Sequence, residues 1–190
     1  MENTFLQQHR EKEEFNQFWY SSRTINALVD ETEDLHLQGF TKIACLSTPS
    51  LYFSLTEKSK ENSRLFEIDR SFQRDKGFVF YDFNHSEELD PALEKSFDVV
   101  VVDPPFITRE VWEKYSRAVK FLLKDGGKII VSSVDENAPM LDELLKVKRQ
   151  AFKPSIPHLV YQYSFFTNYN SSRFSQKNSE IPEEEDEDYY

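Results

Sequence analysis

The chain has 190 residues, 15% of them aromatic and 30% charged, with one cysteine and a formal net charge of −11. That length suits a single domain with a proper core; the lone Cys45 excludes an intrachain disulfide and a cysteine-based zinc site, and no apolar run approaches the roughly 20 residues needed to cross a bilayer. Residues 183–188 are all acidic, yet the rest of the chain is acidic too, and only Lys146, Lys148 and Arg149 form a local basic group. Tight nucleic-acid binding, which needs a basic patch, is therefore disfavoured, and the balance leans toward a basic protein partner.

The N-terminal residues carry no apolar stretch of the secretory kind, so the protein is expected to stay in the cytoplasm. Residues 1–14 are polar and are expected to be flexible, followed by a folded domain over 15–170. Phe15, Phe18, Trp19 and Tyr20 make a dense aromatic knot. Trp19 and Tyr20 read as core, with a cofactor lid as the alternative. Ser22 or Thr24 can cap a helix in which Ile25, Leu28, Val29 and Leu35 keep helical spacing and which Gly39 can end.

Strands alternate with helical segments from there. Residues 43–46 are a short strand, after which Thr48 and Pro49 open a helix carrying Leu51 and Leu55. Residues 65–69 and 78–82 are the second and third strands, each closed by an acid. The fourth is the most distinctive: Val99 to Val102 are four consecutive valines, the pattern of a strand buried on both faces, and Asp103, Pro104 and Pro105 stop it abruptly. Thr108 can cap a helix with Val111, Trp112, Tyr115, Val119 and Leu122 on one face. A fifth strand over 128–131 and a helix from Asn137 and Pro139 follow. Residues 152–156 and 159–169 read as two strands of an antiparallel hairpin. Residues 171–190 are polar and acidic, and are expected to be disordered.

Ligands of open α/β sheets sit beyond the carboxyl ends of the strands, where this chain repeatedly has a polar residue. Asp69 suits the ribose hydroxyls of an adenosine ligand; Asp82 suits the adenine amino group, with Phe83 stacking on the ring. The alternative for both acids is a solvated turn. Ser47 and Ser50 can meet a carboxylate end or merely cap a helix. Asp103, the proline carbonyls and Phe106 together suit a grip on an amine. The four histidines are scattered, so no metal site is expected, and no hydrolase nucleophile motif occurs.

Asp103-Pro104-Pro105-Phe106 after an apolar strand resembles the signature of amino-directed methyltransferases. The segments Gln17-Phe18-Trp19-Tyr20-Ser21, Ala44-Cys45-Leu46-Ser47-Thr48-Pro49-Ser50, Phe66-Glu67-Ile68-Asp69 and Phe80-Tyr81-Asp82-Phe83-Asn84 extend the likeness. Together they resemble the lysine methyltransferases of translation elongation factor 1-alpha, a family formerly labelled N6-adenine-specific DNA methyltransferases. The resemblance covers about Gln17 to Tyr169. It implies a Rossmann-like, seven-stranded class I methyltransferase sheet, mostly parallel with a C-terminal antiparallel hairpin. It also implies S-adenosylmethionine as cofactor and the elongation factor as protein substrate; the charge balance and the lack of a long apolar run leave no stable nucleic-acid or membrane partner expected. Asp103, Pro104, Pro105 and Phe106 fall on the family's amine-facing motif. The motif ends in Phe where many relatives have Tyr, so a hydroxyl plays no part there. Two other readings are an N6-adenine nucleic-acid methyltransferase and a non-catalytic acidic adaptor of the same fold.

Overall fold

The computed structural model describes residues 1–183. Seven strands form one sheet: β1 (Ile43–Leu46), β2 (Arg64–Glu67), β3 (Phe78–Phe80), β4 (Phe97–Val102), β5 (Leu123–Val134), β6 (Lys148–Arg149) and β7 (Tyr163–Thr167). Their order is β3-β2-β1-β4-β5-β7-β6. The first five pair in parallel, and β7 runs antiparallel to both β5 and β6. This is the class I methyltransferase sheet expected from the sequence.

Among the described residues six α-helices flank it: α1 (Thr4–Gln8), α2 (Ser22–Leu37), α3 (Pro49–Tyr52), α4 (Glu57–Glu61), α5 (Arg109–Leu122) and α6 (Ala138–Leu145). Val100 and Val102 face the α5 and α6 side with Trp112, Tyr115 and Leu141, whereas Val99 and Val101 face the α2 side with Ile25, Leu28 and Leu51. All four valines are at most 1% exposed. Burial on both faces is what an unbroken apolar strand requires, and each side chain contributes on the order of 1.5–3 kcal/mol. Helix α5 begins where Thr108 accepts a hydrogen bond from the Val111 amide. Ser21, rather than Ser22 or Thr24, caps α2 by accepting from the Thr24 amide. The segment opened by Pro49 is a single turn that ends at Tyr52, before Leu55.

Three expectations give way. The first strand of the hairpin is Lys148–Arg149, not residues 152–156; those residues instead bury Phe152 and Ile156 without joining the ladder. Residues 1–14 are held down because Phe5 is buried among Trp19, Phe53 and Phe72 and Lys12 pairs with Asp69. Residues 171–183 pack on the fold as well: Phe174 is fully buried against Phe152 and Phe165, and Arg173 pairs with Asp34. Residues 184–190, with most of the acidic run, lie outside the described residues.

The strand order reverses between β1 and β4, which opens a crevice at their carboxyl ends. Phe66, Leu46, Val102 and Val131 form one register row across β2, β1, β4 and β5. Glu67, Ser47, Asp103 and Ser132 come next in the chain after each. The register alone thus brings two acids and two hydroxyls to the edge of the crevice.

Candidate active site

Asp103 follows the last residue of β4 in the wall of a cavity at this edge. The Ser132 hydroxyl donates to its Oδ1 at 2.8 Å, and the Tyr20 hydroxyl lies 2.6 Å from Ser132 Oγ. Since Ser132 has one proton and spends it on Asp103, Tyr20 is the donor to Ser132. Burial pushes the Asp103 carboxyl up to about 7; the Ser132 and Tyr20 hydroxyls oppose that rise and the charge of Glu67 adds to it.

Glu67, the last residue of β2, lines the same cavity. Its Oε1 accepts from the amides of Ile68 at 2.9 Å and Asp69 at 3.1 Å. Burial raises its carboxyl to about 7 in spite of those two bonds. Asp69, the acid chosen from the sequence, is absent from the cavity wall. Burial works against its charge, but bonds from Ser71, Lys12 and Gln17 hold its carboxyl below the ordinary value. Both its oxygens are engaged, by Lys12 and Ser71 on Oδ1 and by Lys12 and Gln17 on Oδ2.

What Asp69 anchors is the segment 12–19, which lies over the crevice and contributes Phe15, Asn16, Phe18 and Trp19 to the cavity wall. Lys12 Nζ reaches Asp69 Oδ1 at 2.9 Å and Gln17 Nε2 reaches Oδ2 at 2.9 Å. At the other side Asn16, in the left-handed region at φ +51°, donates its side-chain amide to the Pro105 carbonyl. The strap is therefore tied to both halves of the sheet, and the enclosed volume beneath it is about 160 Å³.

Behind β1 the chain turns at Ser47, whose φ of +56° lies in the region usually left to glycine. Its Oγ is 2.7 Å from the Tyr115 hydroxyl. Two buried hydroxyls in this region, Thr48 Oγ1 and Tyr81 Oη, have no hydrogen-bond partner among the described residues, and Tyr81 lines the cavity. Phe83 also lines it, its ring 5.6 Å from that of Tyr115.

Among the sequence-chosen residues, Asp103, Pro104, Pro105, Phe106, Ser47, Phe83 and Trp19 meet at the cavity. Ser50, Asp69, Asp82 and Tyr20 do not line it. Ser50 is buried in α3, where its carbonyl accepts from the Ser54 hydroxyl. Asp82 caps the turn after β3 through the Asn84 amide at 2.9 Å. Tyr20, 2% exposed, stands behind the cavity wall, its hydroxyl 2.6 Å from Ser132 Oγ and close enough to Asp103 to favour the ionised carboxyl. Glu67, Tyr81 and Ser132 are not singled out by the sequence reading, although the strand-end rule that selects Asp69 finds Glu67 once β2 is ended two residues earlier. Among the described residues no group of three or more His, Cys, Asp or Glu could hold a metal ion, and no helix is long and apolar enough to cross a membrane.

A family model described as "Probable N6-adenine methyltransferase" matches residues 11–171. The chain belongs to that family. Among curated proteins the chain is similar to the mouse EEF1A lysine methyltransferase 1, 37% identical over 163 residues that cover 83% of this chain and 75% of the relative. The zebrafish (Danio rerio) protein of the same name is 36% identical, covering 84% and 99% respectively. A crystal structure of a Corynebacterium glutamicum protein superposes with a TM-score of 0.51 at 13% identity, covering 88% of this chain and 95% of that one, a likeness of fold alone.

This methyltransferase family uses S-adenosylmethionine, and the residues present fit it. An acid at the end of β2 faces the cavity, and a hydroxyl orphaned in the cavity wall and another in the turn after β1 await partners. An aromatic ring stands beside them. Two carboxyls held near neutrality in one enclosure also suit a ligand that brings positive charge, since a cation would stabilise their ionised forms.

Proposed function

We propose that this chain is a protein-lysine N-methyltransferase that moves a methyl group from S-adenosylmethionine to a lysine side chain of translation elongation factor 1-alpha in the cytoplasm. The names of its mouse and zebrafish relatives support the substrate. A net charge of −11 favours a basic protein surface over a phosphate backbone. The observation that carries the reaction is the position of Asp103 and its two prolines at the switch point of the sheet, in the wall of the same cavity as Glu67.

In this reading Glu67 takes the ribose hydroxyls, Tyr81 and Phe83 meet the adenine, and Ser47 with Thr48 meets the methionyl end. Asp69 pins the strap, and Tyr20 and Ser132 hold Asp103. The bound cofactor supplies an electrophilic methyl group on a sulfonium. A lysine side chain is an ammonium with an ordinary pKa of about 10.4, and it must first give a proton to solvent before its nitrogen has a lone pair to offer. Entry past the rings of Phe15, Phe18 and Phe106 desolvates the ammonium and lowers that value. Asp103 accepts an N–H bond and points the nitrogen lone pair; because a carboxylate also favours the charged amine, its main contribution is orientation. Phe106 offers a π face to the methylated ammonium product.

The test is transfer of a labelled methyl group to purified elongation factor 1-alpha and, in parallel, to DNA. Label in the factor, lost in Asp103→Ala while cofactor binding survives in calorimetry, is the expected result. Label in DNA alone would favour an adenine methyltransferase, and failure to bind the cofactor would favour a non-catalytic adaptor.

A further inference from the structure

The mouth of the cavity carries apolar side chains that none of the described residues covers. Large apolar residues are seldom exposed in this fold, yet Phe106 is 51% exposed, Val160 93% and Tyr161 66%. Phe106 lines the cavity, and so does Leu159, the residue before Val160. Phe106 and Leu159 thus border one opening, and Val160 and Tyr161 are the next two residues of the loop that brings Leu159 there. The loop that presents Val160 and Tyr161 is not a loose tail. Its base is fixed by Ile156 in the core, by the Ser155 amide donating to Thr24 Oγ1 at 2.9 Å, and by the Gln162 side chain donating to the Pro154 and Tyr163 carbonyls. A rigid base that holds an apolar tip in water is a feature of a docking surface.

The strap on the same opening adds charge. Glu13 and Glu14 are exposed, Glu14 lines the cavity, and neither forms an ion pair among the described residues. An apolar tip beside unneutralised carboxylates repels phosphate and accepts a cationic peptide. We propose that this rim, Phe106, Val160 and Tyr161 with Glu13 and Glu14, docks an extended segment of the protein substrate in which an apolar residue and a Lys or Arg flank the lysine that enters the cavity. The apolar neighbour packs on Val160 and Tyr161, and the basic neighbour pairs with the strap. The inference rests on the protein-lysine methyltransferase reading above and adds to it the surface that selects the substrate.

Steady-state methylation of elongation factor 1-alpha by the full chain tests it with two surface variants. Val160→Ser/Tyr161→Ser should raise KM for the factor tenfold or more, leaving kcat and the Kd for S-adenosylmethionine within twofold. Glu13→Gln/Glu14→Gln should raise KM and flatten its dependence on salt. Unchanged thermal midpoints establish that both variants fold. If the wild type methylates the factor and neither variant alters KM, the docking surface is refuted and the reaction stands. If the wild type binds the cofactor but transfers nothing to the factor, the substrate reading falls and the docking surface falls with it.

Discussion

The substitution Asp103→Asn should abolish methyl transfer and, above neutral pH, make the protein more stable. The folded carboxyl sits at about 7 against an ordinary 3.8, chiefly because it is buried. Between those values the folded state keeps a proton that the unfolded chain has released, so this group's contribution to stability falls as pH rises through the window and levels off above about 7. At about 1.36 kcal/mol per pKa unit, the full penalty is on the order of 4 kcal/mol, of which roughly 2–3 kcal/mol develops between about pH 5 and about pH 8. The substituted amide would keep an oxygen for the Ser132 hydroxyl but bring an N–H pair that needs partners, an offset of about 1–3 kcal/mol that does not vary with pH. The readout is therefore the pH dependence of the difference between variant and wild type, measured by urea unfolding of the cofactor-free proteins. The Asp103→Asn variant should gain on wild type from about pH 5 and level off as the pH passes about 7. A difference that stays flat, or that shrinks with pH, would refute an ionised buried carboxylate at this position. Loss of the Asp103 charge also relieves Glu67, which acts in the same direction.

Binding of S-adenosylmethionine near neutral pH should release protons, because its positive charge favours the ionised forms of Glu67 and Asp103, both held at about 7 in its absence; calorimetry in buffers of differing ionisation enthalpy counts them. Ser132→Ala removes the bond that holds the Asp103 carboxyl down and should move the acidic limb of the rate profile to higher pH, by roughly one unit for one hydrogen bond to a charged group, with cofactor affinity little changed. Tyr20→Phe should shift the limb in the same direction. Phe174→Ala should destabilise the whole fold by about 3–5 kcal/mol in chemical denaturation, as expected of a core aromatic and not of a peripheral tail.

The centre of the sheet is plain in the sequence, because four valines in a row admit few environments and two prolines fix where the strand ends. Strand β1 and the capped helix α5 are legible for similar reasons: periodicity, cap and turn residues agree. The acid of β2 is not, because the strand ends at Glu67 rather than at Asp69, and local pairing decides which carboxyl is left facing the crevice. Glu67 and Asp69 stand two residues apart, and only the full network of Lys12, Gln17 and Ser71 explains why Asp69 is spent on the strap. Composition misleads at both termini because it averages over a segment, whereas one buried ring, Phe5 or Phe174, is enough to hold it. The stretch 152–156 misleads in the other direction: its apolar residues fill the core next to Phe165 and Phe174 without any strand partner.

The turn at Ser47 bears on binding thermodynamics. A glycine-rich loop is supple and must be immobilised each time a ligand arrives, whereas here a left-handed serine is already clamped by the Tyr115 hydroxyl. If this turn meets the cofactor as proposed, the entropy of ordering is met once, during folding, and the socket would greet each incoming cofactor in its final shape.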